Sequence, residues 1–332
     1  MISGYDIDQI LKIGGCHRPV NGGLRMEIGE MMNSESKSKK KFSFDKVVPY
    51  VFVSPFYILF LIFGLFPVIF SGVLAFSKWD GLGDIQFVGL DNFTRLLRDA
   101  DFYLSVKNTL IIWAVGTFPM LFLALILAFL VNLKFIKHKE LLKSIFFLPN
   151  ITSVVAVTIL FGLIFSNLDG LANALLQFLG FEPIKWVTSP FWVRIVIALI
   201  NIWMYLGYNM IIYLTGITKI PNDYYEAAVI DGATNMQIFW NITIPQLKPI
   251  ILFTVMMSTI GGLQVFSEAQ VLVPQGATPE GGAMTIVYYL YNTAFTNNEY
   301  GYGSAVAWAL VLIILVFSLI NWYLTTYRIK GE

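Results

Sequence analysis

The stretch Lys219–Lys248, KIPNDYYEAAVIDGATNMQIFWNITIPQLK, is a polar island between two uncharged apolar runs, Ile195–Thr218 before it and Pro249–Ser267 after it. At about 30 residues it is too long and too patterned for a plain tether between helices. Pro221 marks an extended start, Asp223 is placed to cap a helix, and Glu226 three residues on has the spacing of a capping box. Ala228 and Gly232 lie four apart, so two positions with little side chain share one helix face, and such a face lets another backbone come close. Gly232 ends or turns that helix, and a second short helical piece, roughly Asn235–Trp240, leads to Ile244-Pro245 and the next apolar run.

The two flanking runs belong to a set of six. The others are Val47–Ser77, Asn108–Leu133, Ser144–Leu168 and Tyr300–Tyr327. A helix rising ~1.5 Å per residue needs about 20 residues to cross a hydrocarbon core ~30 Å thick, and each run can supply that length. A seventh candidate, Gly281–Asn298, has its apolar part confined to Ala283–Phe295 and suits a short helix at the interface. The composition agrees: of 332 residues 57% are apolar and only 13% charged, about half the charge of a soluble domain. A net charge of +1 argues against a bulk nucleic-acid binder. One cysteine, Cys16, excludes an intrachain disulfide framework, and with His17 and His138 as the only histidines no metal site is expected. The expected fold is an all-α integral membrane protein with six transmembrane helices.

Lysine and arginine in the short loops give the orientation. Lys37, Lys39, Lys40, Lys41 and Lys46 precede the first run, Lys134, Lys137, Lys139 and Lys143 separate the second from the third, and Arg328 and Lys330 follow the sixth. Residues 274–298 carry neither lysine nor arginine, and the first outer loop offsets its bases with Asp80, Asp84, Asp91, Asp99 and Asp101. Both termini are therefore expected in the cytoplasm, with the 219–248 loop on the same side. Residues 1–46 contain the polybasic SESKSKKK and no apolar run long enough for a signal-peptide core, so they form an expected flexible tail ahead of a membrane domain at 47–332. The lack of pattern before Met31 and Met32 raises the expectation that translation starts there.

Polar residues inside the runs are mostly uncharged, which suits a neutral hydrogen-bonding solute better than an ion; the competing role is interhelical glue. Asn150, Thr152, Thr158, Ser258 and Thr259 belong to this group. Tyr205, Tyr208 and Asn209 share one helix face close to mid-span, with Gln264 of the fifth run expected nearby. Aromatic rings stack on the apolar faces of sugars while amides such as Asn201 and Asn209 bond hydroxyls. Glu268 falls 19 residues beyond Pro249, ~28 Å along a straight helix, which puts it at the outer interface as a snorkelling carboxylate, with a substrate or gate contact as the second role. Pro67, Pro119 and Pro149 permit kinks.

Glu226-Ala227-Ala228, Asp231-Gly232, and Ile242 and Ile244-Pro245 beyond a nine-residue gap resemble the EAA signature of ABC importer permeases, with Ile244 where leucine is usual. Phe87-Val88-Gly89-Leu90-Asp91-Asn92-Phe93 and Gly301-Tyr302-Gly303-Ser304-Ala305 are similar to the carbohydrate-uptake branch; Gly276-Ala277-Thr278-Pro279 departs from its usual Gly-Gly-Pro. The resemblance implies a multi-pass subunit of a bacterial cytoplasmic membrane, set in lipid. Its implied partners are a second, unlike permease, two ATP-binding subunits and an extracellular solute-binding protein. It also implies that Glu226, Ala227, Ala228, Asp231, Gly232 and Pro245 couple the chain to an ATPase. The chain has no phosphate-binding G-x-x-x-x-G-K-[ST] loop, so ATP belongs to the partner and no cofactor is expected here. The competing functions are a membrane-embedded glycosyltransferase, which would need catalytic carboxylates or a metal site where only Glu268 and the outer aspartates are available, and an importer of a non-sugar solute such as a polyol phosphate, which would need basic residues in its path.

Overall fold

A computed structural model describes residues 44–133, 136–273 and 281–329. The expected tail up to Ser43, the alternative start at Met31 or Met32, and the Gly276–Pro279 turn lie outside them. The chain divides into a unit ending at Pro67 and a second beginning at Val68.

In the first unit, α1 (Phe44–Leu59) runs into a single π turn, Phe60–Leu65. Pro67 follows that turn, and its ring would clash with the carbonyl of Phe63 in a regular helix; widening the turn relieves the contact. Phe52 is 81% and Phe63 74% exposed, a surface that water would not solvate favourably.

In the second unit the helix continues as α2 (Phe66–Ala75), then a short antiparallel hairpin pairs β1 (Ser77–Lys78) with β2 (Gln86–Phe87). Asn92, in α3 (Asp91–Leu96), ties the hairpin base down by donating to the carbonyls of Ala75 and Ser77. The long α4 (Ala100–Asn132) starts on Asp99, whose side chain caps the N–H groups of Asp101 and Phe102. Pro119 lies inside α4 without ending it. Among the described residues five helical stretches are long and apolar enough to cross a membrane: Val48–Ala75, α4, α8 (Pro190–Ile217), Asn235–Gly262 and Tyr300–Tyr323.

The third expected span is not one straight helix. It consists of α5 (Lys139–Phe147), a 3-10 turn at Leu148–Ile151, and α6 (Val154–Ile164), bent by 93°. Pro149 opens the turn, and Thr152 and Ser153 are extended, so the hydrogen-bond ladder is interrupted between the two helices. At 11 residues α6 is ~17 Å long, about half a bilayer core. Between α6 and α8 lies the amphipathic α7 (Leu171–Phe178), held by Asn173, whose amide bonds Ile184 and the indole of Trp186.

The 219–248 segment also differs from a long loop. It contains α9 (Asn222–Ile230) and α10 (Asn235–Ile238), and α10 passes through a π turn, Phe239–Thr243, into α11 (Ile244–Gly262). The fifth span thus begins inside the polar island. A break at residues 263–266 separates α11 from α12 (Ser267–Leu272). The seventh candidate is a short helix, α13 (Ile286–Tyr291), packed among α4 and α14 (Tyr300–Ile329). Asn108 donates to the carbonyls of Gly281 and Met284, and Thr109 accepts from the N–H of Ile286.

The main packed cluster joins Met120–Val131 of α4, Met210–Ile217 of α8, and Ile220, Phe239 and Leu247. α8 comes so close to α5 that a Cβ on Gly207 would sit 1.7 Å from the Phe146 carbonyl oxygen. Only glycine fits at that crossing. At the far end of α4, Asp99 accepts hydrogen bonds from the hydroxyls of Tyr289 and Tyr302. Burial works against ionising Asp99, yet those two donors and the N–H groups of Phe102 and Asp101 hold its carboxyl below the usual range. Burial and the bond to Asp99 push the Tyr289 phenol up to about 12. Arg95 completes the clasp, 2.8 Å from Glu299 and over the ring of Tyr302.

Candidate functional site: a polar cavity and an exposed helix

The first candidate is a cavity of about 440 Å³ between α4, α8, α11 and α12, within the ~300–1,000 Å³ span of small-molecule sites. Tyr205, Tyr208, Asn209 and Gln264 all line it, as does Asn201. The four residues singled out from the sequence therefore line one cavity. Tyr205 and Tyr208 are 39% and 43% exposed, so their rings are presented to a visiting molecule. Asn209 is buried; its amide N–H donates to the Tyr205 carbonyl 3.0 Å away. Gln264 donates to the carbonyl of Ile260. Several other intramembrane polar groups bond within or between helices. The Thr254 hydroxyl donates to Tyr213 at 2.7 Å across α11 and α8, Asn321 donates to Thr259, and Thr158 bonds its own helix.

Glu268 is the departure from expectation. A straight helix would carry it to the interface, but α11 stops at Gly262, the helix is broken at residues 263–266, and Glu268 sits in the first turn of α12. It is 6% exposed and lines the same cavity, its carboxyl accepting from the N–H groups of Glu268 and Phe266. The signal for the break is the pair Gly261-Gly262, each a poor helix former and here adjacent. The α4 side of the cavity, Trp113, Thr117 and Met120, was not foreseen.

The second candidate is α9. It starts at Asn222 with Pro221 in the capping position, so Asp223 lies in the first turn and forms no capping box with Glu226. The capping box occurs one helix later: Thr234 accepts from the N–H of Gln237 while the Gln237 side chain accepts from the N–H of Thr234. Gly232 has φ +77 and closes α9, its N–H donating to the Val229 carbonyl and that of Ala233 to the Ala228 carbonyl. This is the paired geometry of a Schellman stop, which favours glycine because a Cβ is strained at positive φ. Asp231 caps the helix, Ala227 and Glu226 are exposed, Ala228 is half-buried, and Pro245 is exposed in the first turn of α11. Tyr224, Val229, Ile230 and Met236 stand 51%, 64%, 85% and 65% exposed around them. Tyr225 turns inward, packing on the main cluster with its hydroxyl 3.4 Å from Thr243.

A multi-helical membrane chain with a solute-sized cavity and a short helix projecting from the same bundle has the form of a transporter subunit. Residues 109–326 match the family described as binding-protein-dependent transport system inner membrane component, and the chain belongs to that family. It is a multi-pass permease of the cytoplasmic membrane, a transport component that uses ATP through a partner ATPase. It is 37% identical over 288 residues to the arabinooligosaccharides transport system permease protein AraP of Bacillus subtilis (86% of this chain, 91% of that one). It is also 37% identical over 300 residues to the lactose transport system permease protein LacF of Rhizobium radiobacter (90% and 100%). A crystal structure of a bacterial ABC transporter that imports the acidic polysaccharide alginate superposes with a TM-score of 0.74 at 28% identity, covering 84% of this chain and 95% of that one. The chain is thus a permease of a carbohydrate-uptake ABC importer.

Proposed function

We propose that this chain is one half of a permease heterodimer that moves a neutral sugar or oligosaccharide through the cavity walled by Tyr205, Tyr208, Asn209 and Gln264. Two ATP-binding subunits drive alternating access through α9, and an extracellular solute-binding protein delivers the sugar. Both termini and residues 219–248 face the cytoplasm, behind a tail at 1–46 and a membrane domain at 47–332. The supporting observation is that aromatic faces and amides, the two groups a polyhydroxylated ring needs, line the same solute-sized cavity. A polyol phosphate fits less well, because no lysine, arginine or histidine among the described residues lines that cavity. The names of the relatives, one for arabinooligosaccharides and one for lactose, support an uncharged solute. In a complex reconstituted with its binding protein, Tyr208→Ala lowers uptake of arabinotriose or lactose by tenfold or more while the complex still assembles. Failure of the complex to assemble would instead put Tyr208 at the permease–permease interface, and parental uptake of every sugar the importer carries would reject the path.

A further inference from the structure

We infer that Glu268 is a solute-binding residue of this importer, its carboxyl accepting hydrogen bonds from neighbouring hydroxyls of an uncharged sugar held against Tyr205 and Tyr208. The inference rests on the sugar path proposed above. Three observations carry it. Glu268 is the sole carboxylate or other charged side chain among the residues lining the cavity, and it is 6% exposed, so its charge is not spent on bulk water. Among the described residues no lysine, arginine or histidine shares that lining, so none of them pairs with the carboxylate across the cavity. A buried carboxylate without a counter-charge must find hydrogen-bond donors. Two come from the backbone at Phe266 and Glu268, while two oxygens have room for about four. A pair of adjacent sugar hydroxyls supplies the remainder in the geometry a carboxylate accepts.

The chain's own architecture places the group there. The break at residues 263–266 turns α12 so that its first residues, Ser267 and Glu268, face the same cavity as Gln264. An uninterrupted α11 would carry position 268 about 9 Å past Gly262 and away from the Tyr205 wall. Tyr205 and Glu268 line the same cavity, which brings an aromatic face and an acceptor to one solute. The same arrangement disfavours anionic solutes, since a carboxylate meets them and no cation does. The related permease of an alginate importer carries an acidic polysaccharide, so the two cavities are expected to differ in charge at this level.

The test uses the complete importer in proteoliposomes, with arabinotriose and lactose as probes. Glu268→Gln keeps the length of the side chain and one acceptor oxygen for the Phe266 N–H, so a residue that only shapes α12 tolerates it. Solute binding predicts at least tenfold lower uptake for Glu268→Gln, with Glu268→Asp recovering part of it. Uptake within twofold of the parent for Glu268→Gln, while Tyr208→Ala is impaired, overturns the role of Glu268 and leaves the path standing. Parental uptake in both variants rejects the path itself. Where the Glu268→Gln complex is not recovered, a Glu268→Cys variant in a Cys16→Ser background decides. Slower thiol labelling in the presence of the loaded binding protein, ATP and vanadate supports solute contact, and an unchanged labelling rate rejects it.

Discussion

Ile230 ends α9 with 85% of its surface open, next to Val229 at 64%. Replacing it by alanine should cost this chain almost nothing by itself, because exposed positions change stability by within about 0.5 kcal/mol and alanine is the better helix former. The cost should fall on the partner. Burying an isoleucine side chain stabilises by about 1.5–3 kcal/mol, and alanine keeps one of its four carbons, so an ATPase cleft that covers Ile230 loses about 2 kcal/mol. That corresponds to a roughly 30-fold weaker association. Permease heterodimer purified with either version of this chain can be titrated with the ATPase subunits, and uptake measured in parallel. Leu82→Ala serves as the control: Leu82 is 83% exposed, but it lies in the β1–β2 turn, which is expected on the outer face from the charge pattern. Equal ATPase affinity for Ile230→Ala, Leu82→Ala and the parent would refute the docking role of α9.

At Gly232 the positive φ alone favours glycine, yet no atom lies within 4 Å of where a Cβ would stand. Gly232→Asn, a residue that tolerates left-handed backbone, should therefore leave insertion and stability close to parental while lowering uptake, because the added side chain meets the ATPase; parental uptake would make the glycine purely conformational. Orientation is checked with single cysteines in a Cys16→Ser background: Asp84→Cys should react with a membrane-impermeant thiol reagent in intact cells and Asn235→Cys should not. Labelling of position 235 from outside would invert the topology.

The first, second, fourth and sixth spans were legible because apolar runs of this length have few alternatives, whereas the third is bent and the fifth begins at Asn235 inside the polar island. The tyrosine–asparagine face was legible because three- and four-residue spacing is geometry that any straight helix imposes. The features missed are those in which the helix is not straight. Pro149 was recognised as a kink, but a 93° turn also needed the extended pair Thr152-Ser153, and nothing in uncharged composition distinguishes that pair from helix. Glu268 was misplaced for the same reason: distance along a helix has meaning only up to the break after Gly262. The capping box was misassigned because Asp223 and Thr234 each head a suitable pattern, and Pro221 already occupied the position before the first helix.

The cavity and α9 are also joined mechanically. Tyr225 packs on the cluster formed by Met120–Val131, Met210–Ile217, Ile220, Phe239 and Leu247, and Ile220 and Phe239 bracket α9 in the chain on either side. Close-packed interiors transmit displacement instead of absorbing it. A shift of α9 therefore acts on α8 from its Ile217 end and on α11 from its Thr243 end, and these two helices carry Tyr205, Tyr208 and Ser258 at the cavity wall. Gly207 fixes α8 against the Phe146 carbonyl between those points, with no slack for a side chain. A helix pressed at one end and held near its middle pivots. Tyr205 lies on the far side of Gly207 from Ile217, and Tyr208 next to the contact itself, so motion at α9 should swing the Tyr205 end of the wall more than the Tyr208 end. Opening and closing of the cavity is then expected at the level of Tyr205 and Asn201, with Tyr208 as the fixed part of the wall, where the proposed path would stack a sugar ring.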